Sequence, residues 1–121
     1  ERAGKIVFVT SIASISPRPN SSVYAASKGA INAFMRSAAM DLAPFNVLVN
    51  AVLPGPIKTK MTESVLSPQQ VEHIDNAIPL NRMAEPREIV NAILFLISDM
   101  NTYITGQSIV IDGGLTIQQV N

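Results

Sequence analysis

Three short segments rich in Val, Ile, Leu and Phe constrain the fold more than any other feature. They are Lys5–Ser11, Asn46–Gly55 and Gln107–Gly114. Their apolar residues follow one another instead of alternating with polar ones, which is typical of strands covered on both faces of a parallel sheet. Helical patterns separate the three segments, and strands joined by helical crossovers form parallel sheets with helices on both faces. We therefore predict an α/β fold with about three parallel strands.

The helical segments have readable beginnings and ends. One helix is predicted to begin at Ser22 or Val23 and to stop before Pro44, and another to begin near Pro86 and to end at 99–101. Five apolar residues of the second are predicted to be buried: Ile89, Val90, Ile93, Leu94 and Ile97. Between the two helices, Ser67 is the predicted N-cap of a short helix within a mobile loop region, residues 60–83.

Composition excludes several classes of function. The 121 residues are 47% hydrophobic and 15% charged, and nine basic residues balance nine acidic ones. Neither nucleic acid nor a membrane surface is an expected partner of so neutral a chain. There is no cysteine and His73 is the single histidine, so no metal site is predicted. No apolar run reaches the roughly 18 residues of a membrane-spanning helix. A soluble, cytoplasmic protein is expected.

The sequence contains no earlier predicted strand that could pair with the free edge of the first strand. Only four residues precede Lys5. A flat apolar edge strand is an association hazard, and three buried strands make a small sheet. We therefore expect residues 1–121 to be a partial domain, part of something larger.

A tyrosine and a lysine stand four residues apart where the first long helix begins. Tyr24 and Lys28 should share one helical face. A neighbouring ammonium group and the positive end of a helix both favour the ionised form of a phenol, so the pair could serve as a general acid or base. The alternative is a half-buried packing tyrosine beside a solvated lysine, and this spacing alone is common by chance.

Two further features should meet this pair at one edge of the sheet. Ser11 ends the first apolar strand, and the loop "LPGPIKT", residues 53–59, follows the second. Ligands of open parallel sheets bind beyond the carboxyl ends of the strands, and Gly55 would allow close backbone approach. Taken singly, each feature could be an ordinary turn. Their convergence on one rim favours a ligand site.

With these residues in place, the sequence resembles the C-terminal half of a short-chain dehydrogenase/reductase. The segments that carry the resemblance are "YAASKGAI", "VNAVLPGPIKT", "NRMAEPREIVNAILFLISD" and "GQSIVIDGG". Ser11 lies thirteen residues before Tyr24, at the family's spacing. The resemblance covers nearly all of the chain and implies half of a Rossmann-like, doubly wound parallel sheet. Ser14, Asn46 and Leu48 differ from the residues usual in the family at these positions. None of the three is Ser11, Tyr24 or Lys28, which match the family's serine, tyrosine and lysine.

The resemblance also implies roles for particular residues. Tyr24 would exchange a proton with a carbonyl or alcohol oxygen, Lys28 would assist it and bind the nicotinamide ribose, and Ser11 would hold the substrate oxygen. The expected cofactor contacts of the loop are the ring against Pro54, Gly55 and Pro56, and the carboxamide against the Ile57 backbone and the Thr59 side chain. Met61, Val65 and Leu66 are candidates for the substrate loop, although plain packing would also explain them.

The implied cofactor is NAD or NADP, with no preference readable. The sequence contains no Gly-x-Gly-x-x-Gly turn, and its only adjacent glycines are Gly113 and Gly114. Such a turn supplies much of the affinity for a dinucleotide. We therefore expect the chain alone to bind the cofactor poorly and to be inactive by itself.

Three hypotheses remain open at this stage. The first is the catalytic half of an NAD(P)-dependent oxidoreductase that acts on a small carbonyl or alcohol substrate as a homo-oligomer. The second is a non-catalytic remnant or interaction module that pairs with another subunit through its edge strand and helix faces. The third is a dinucleotide sensor without turnover, against which the intact Ser11, Tyr24 and Lys28 count.

Overall fold

The computed structural model describes residues 3–117 and contains one parallel sheet of three strands. The strands are β1 (Gly4–Val9), β2 (Val47–Pro54) and β3 (Ser108–Ile111), in the spatial order β1-β2-β3. This arrangement confirms the predicted α/β class. Within the described residues β1 pairs only with β2, so its other edge is open.

Four helices connect the strands. They are α1 (Ser22–Leu42), α2 (Lys60–Val65), α3 (Pro68–Ala77) and α4 (Pro86–Ile97), with short 3₁₀ turns at Ile12–Ser14, Ala43–Phe45 and Leu115–Ile117. The first helix joins β1 to β2, and the other three lie between β2 and β3. None of the helices between residues 3 and 117 is both long enough and apolar enough to span a bilayer.

The central strand β2 is buried on both faces, as its nearly continuous apolar sequence, interrupted only by the buried Asn50, predicts. On one face Val49, Ala51 and Leu53 pack in a cluster with Met35 and Ala39 of α1. On the other face Val52 packs with Ile89 and Leu96 of α4. Successive strand residues point to opposite faces, so one apolar strand anchors both helical layers.

The buried face of α4 differs from the prediction. Ile89, Ala92, Ile93 and Leu96 face the sheet, whereas the predicted Val90, Leu94 and Ile97 are exposed. The helix is apolar on two adjoining faces, so spacing alone did not decide which one is buried. The exposed apolar face of α4, defined by Val90, Leu94 and Ile97, is therefore available to other contacts.

The region predicted to be one short helix in a loop contains two helices. Ser67 caps α3 as predicted, with its Oγ accepting from the Gln70 N–H at 3.2 Å. Thr59 caps α2 in the same way and accepts from the Thr62 N–H. Each cap satisfies backbone groups that would otherwise lack partners, which stabilises these short helices.

The loop that follows β2 is attached to the end of β3. The Gly55 N–H donates to the Ile111 carbonyl at 2.9 Å. A Cβ atom at Gly55 would lie 2.8 Å from the Asp112 Cβ and 2.9 Å from its Cα. The glycine is thus required by the close approach of two backbones, in addition to any role at a ligand.

We predict that Gly55→Ala destabilises the chain by about 1–3 kcal/mol, because the new methyl group must displace backbone at Asp112. The control is Gly29→Ala, where an added Cβ meets nothing within 4 Å. In the interior of α1 that change should stabilise by about 0.5–1 kcal/mol. Urea unfolding of both variants measures the free energies. Equal stability of Gly55→Ala and the parent chain would contradict the proposed packing role.

Candidate active site

A cleft of about 270 Å³ opens at the edge where the carboxyl ends of the strands lie. Ser11, Tyr24, Pro54, Gly55 and Pro56 all line it. They come from the turn after β1, the first turn of α1, and the last residue of β2 with the loop that follows it. The remaining lining residues are Ile12, Ala13, Ser16, Arg18, Ser21, Thr62, Leu66, Ile74 and Met83. The structure therefore brings together three groups of predicted site residues that are distant in sequence.

Ser11 lies in a turn beyond the strand, where it caps a 3₁₀ helix. The strand ends at Val9, two residues earlier than predicted, although the Thr10 N–H still donates to the Val52 carbonyl at 2.9 Å. The Ser11 Oγ accepts from the Ala13 N–H at 3.1 Å. This bond uses a lone pair of the hydroxyl oxygen, so its O–H can still donate to a ligand in the cleft.

A buried amide fixes the Ser11 turn against α1. The Asn32 Oδ1 accepts from the Thr10 hydroxyl at 3.1 Å, and its Nδ2 donates to the Ser14 Oγ at 2.6 Å. The Ser14 hydroxyl donates in turn to the Ser11 carbonyl at 2.7 Å. Asn32 stands eight residues after Tyr24, on the same helix. It thereby connects the element that carries Ser11 to the element that carries Tyr24.

Tyr24 and Lys28 lie on one face of α1, as their spacing predicts. Tyr24 is the third residue of the helix and is half exposed toward the cleft. The Lys28 Nζ lies 5.7 Å from the centre of the Tyr24 ring, within the range of a cation–π contact. Lys28 itself does not line the cleft. The Lys28 ammonium group therefore lies beside the Tyr24 ring but leaves the cleft in front of Tyr24 open to a ligand.

The loop after β2 is fixed on both sides of Ile57. The Pro56 carbonyl accepts from the Ala84 N–H at 3.0 Å, and the Lys58 N–H donates to the Ala84 carbonyl at 2.9 Å. The Ile57 N–H takes no part in this bridge. The Thr59 Oγ1 is engaged with Thr62 in the cap of α2. Neither Ile57 nor Thr59 lines the cleft.

The three residues of the expected substrate loop are placed differently from one another. Leu66 lines the cleft, whereas the side chains of Met61 and Val65 are 74% and 72% exposed and lie outside it. Ile74 and Met83 line it as well, and the sequence did not single them out. The weak apolar periodicity of α3 was the only available signal for Ile74, and the sequence gives no signal for Met83.

Charged side chains hold the segment that carries Met83. The Met83 N–H donates to the Asp75 Oδ1 at 2.8 Å, and its carbonyl accepts from the Arg82 Nη1 at 3.2 Å. Arg82 also makes two bonds of 2.7 Å to the two carboxylate oxygens of Glu88. The Arg82 hydrogen bond, together with that from the Glu85 N–H, lowers the pKa of Glu88 to about 2.

A larger cavity, of about 510 Å³, lies at the opposite edge of the sheet. Gly4, Leu48 and the Lys5–Asp99 ion pair line it. The amino ends of the strands lie at this edge, and none of the predicted site residues lines this cavity. Between residues 3 and 117 no group of three His, Cys, Asp or Glu side chains could hold a metal ion.

Comparison with known proteins identifies the family. The family model described as "Enoyl-(Acyl carrier protein) reductase" matches residues 1–116. The chain is 44% identical over 114 residues to a cyclopentanol dehydrogenase of Comamonas sp.. It is 45% identical over 117 residues to a 3-oxoacyl-[acyl-carrier-protein] reductase of Thermotoga maritima. These matches cover 93% and 97% of the chain. The chain belongs to the short-chain dehydrogenase/reductase family, which confirms the resemblance.

Solved structures of the family share the fold. A short chain dehydrogenase family protein of Francisella tularensis has a TM-score of 0.89 and 37% identity over 98% of this chain and 53% of its own. A gluconate 5-dehydrogenase of Burkholderia cenocepacia, in complex with NADP and tartrate, has a TM-score of 0.89 and 29% identity, covering 97% of this chain and 46% of its own. This chain spans less than half the length of the two curated relatives, 46% and 47%.

We predict that Asn32→Leu lowers the free energy of unfolding by about 1–3 kcal/mol, because the buried Thr10 hydroxyl and the partly buried Ser14 hydroxyl each lose a partner. Asn91→Leu, at an exposed position of α4, is the matched control and should change stability by less than about 0.5 kcal/mol. Urea unfolding followed by circular dichroism gives both values. Equal changes in stability for the two substitutions would show that the hydrogen bonds of Asn32 do not stabilise the Ser11 turn.

We predict that Glu88→Gln destabilises the chain at neutral pH and that this difference disappears in acid. The pKa of Glu88 is lowered from 4.5 to about 2, so its stabilising contribution is complete above pH 4.5 and is lost as the pH falls toward 2. Unfolding of the parent and the variant at several pH values measures the difference. Glu72→Gln, on the exposed surface of α3, controls for the change in net charge. A difference that persists unchanged at pH 2 would contradict the assignment to the Arg82 pair.

Proposed function

We propose that this chain is the catalytic part of an oxidoreductase that transfers hydride between NAD(P)(H) and a small carbonyl or alcohol substrate. The observation that carries the proposal is the meeting of Ser11, Tyr24 and the Pro54–Pro56 loop on one cleft at the carboxyl edge of a parallel sheet. Family membership supports oxidoreductase chemistry in general. The whole protein's activity is part of the proposal.

Each of the three polar residues has a distinct proposed role. Ser11 donates its O–H to the substrate oxygen, since the bond from the Ala13 N–H uses one lone pair of the Ser11 oxygen and not the O–H. Tyr24 donates a proton to that oxygen during reduction, or accepts one during oxidation. Lys28, 5.7 Å from the ring centre, stabilises negative charge on the phenol oxygen electrostatically. The turn held by Asn32 keeps the serine in place relative to the tyrosine.

Residues that line the cleft, together with Lys28, Ile57 and Thr59 outside its lining, suit one end of a nicotinamide cofactor. Pro54, Gly55 and Pro56 provide a rigid apolar wall, and the Ile57 N–H lies outside the bridge to Ala84. Tyr24 and Lys28 would hold the ribose, and the Thr59 hydroxyl would contact the carboxamide. When bound, the cofactor supplies or accepts the hydride, and the protein provides orientation and charge. We propose NAD or NADP, without assigning a preference.

The alternative function is a non-catalytic module that pairs with another subunit. The open edge of β1 and the exposed apolar face of α4 would be its contact surfaces. The exposed apolar face of α4 also suits a homo-oligomeric enzyme, which we propose instead. The relatives named above are a dehydrogenase and a reductase, and this favours the oxidoreductase.

The decisive substitution is Tyr24→Phe, tested in an enzyme completed by joining the amino-terminal half of the Thermotoga reductase to this chain. We predict a loss of at least about 100-fold in kcat for ketone reduction, because the proton donor is removed. Tyr103→Phe is the matched control, since Tyr103 is the only other tyrosine and is exposed. Its activity should equal that of the parent. Full activity of Tyr24→Phe would exclude the proposed proton transfer.

A titration of the 121-residue chain alone with NADH and NADPH, followed by nicotinamide fluorescence, separates cofactor binding from turnover. Weak or absent binding is expected, because the sequence lacks a glycine-rich turn. The completed enzyme should bind saturably. A completed enzyme that is folded but binds neither nucleotide would overturn the proposed function.

A further inference from the structure

We propose that Met83 is the specificity-determining residue of this cleft and that it restricts the enzyme to compact, largely apolar carbonyl substrates. The inference rests on the proposed function. It concerns a residue of the segment between α3 and α4, away from the Ser11 turn and from Tyr24.

Met83 separates two cavities. The catalytic cleft of about 270 Å³ lies on one side of it, and a second cavity of about 290 Å³ lies on the other. Met83 and Thr62 are the two residues that line both. The Thr62 hydroxyl is held by the cap of α2, at 2.7 Å from the Thr59 N. The larger, unbranched Met83 side chain is therefore the main barrier between the two spaces.

Both cavities expose mainly apolar surface. On the cleft side, Leu66 and Ile74 line the space together with Met83. On the other side, Val71 lines the second cavity together with Lys58 and Arg82, whose charged groups pair with Glu85 and Glu88. An extended apolar substrate could use this second space only if Met83 did not separate it from the cleft, so the bulk of Met83 limits the cleft to compact substrates.

The barrier is held in place through its backbone. The Met83 side chain is only 7% exposed, and both of its backbone polar groups are bonded to charged side chains, those of Asp75 and Arg82. Neither bond involves the side chain of Met83. A change of side chain at this position should thus alter the size of the cleft while leaving the course of the backbone intact.

The first test compares two ketones in the completed enzyme described above, compact cyclopentanone and longer benzylacetone. Met83→Ala and the milder Met83→Val should each raise the ratio of kcat/KM for benzylacetone over cyclopentanone, by about tenfold for the alanine. Met83→Phe should lower the same ratio. Met61→Ala is the matched control, because Met61 is 74% exposed and outside the cleft. A ratio compares two substrates on one protein, so loss of folded protein does not change it.

The outcomes distinguish this inference from the proposed function. Turnover with a ratio that is the same in all Met83 variants would overturn the role of Met83 and leave the function standing. Absence of turnover in the parent completed enzyme would count against the function instead. The second test needs no turnover. In the completed enzyme with NADP bound and labelled with ¹³C-methyl methionine, added cyclopentanone should shift the Met83 signal, which is assigned by its absence from Met83→Val, and leave the Met61 signal unchanged. A shift at Met61 alone, or at neither, would exclude Met83 from the substrate wall.

Discussion

Burial of the β2 strand on both faces is the constraint on which the rest of the structure depends. Val49, Ala51 and Leu53 fix α1 on one side, and Val52 fixes α4 on the other. The parallel pairing then requires that β1 and β3 run in the same direction as β2, so their carboxyl ends share one edge. Ser11, Tyr24 and the Pro54–Pro56 loop meet at that edge as a consequence of packing in the core.

The cleft is kept in shape by polar contacts that lie behind its surface. Asn32 connects the Ser11 turn to the helix of Tyr24, and Gly55 brings the loop after β2 against Asp112 at the end of β3. Reactive groups need to be held closely if they are to act together, and this depends on supporting hydrogen bonds and packing. Asn32 and Gly55 provide this support through hydrogen bonds and packing behind the surface of the cleft.

Structural features that depend on the periodicity of apolar residues, or on the spacing of two residues in one helix, were predictable from the sequence. The nearly continuous apolar run of β2, interrupted only by Asn50, indicated burial on both faces, and the spacing of Tyr24 and Lys28 placed them on one face of α1. The buried side of α4 was not predictable, since Val90 and Leu94 are as apolar as Ile93 and Leu96 and only the tertiary contacts distinguish them. The structural roles of Asn32 and Met83 could not be predicted from the sequence. Their hydrogen-bond partners, Ser14 and Asp75, are brought next to them by the tertiary structure and not by a local sequence motif. The roles of Met61, Val65 and Thr59 stay predictions.

The way in which residue 83 is held has a consequence for how enzymes of this kind could diverge. Its backbone is secured through the N–H and the carbonyl, which every residue except proline possesses, and the groups that secure it belong to Asp75 and Arg82. These two bonds can therefore form with any side chain at position 83 except that of proline. A lineage could exchange that single side chain, and with it the range of accepted molecules, without first having to rebuild the scaffold around it.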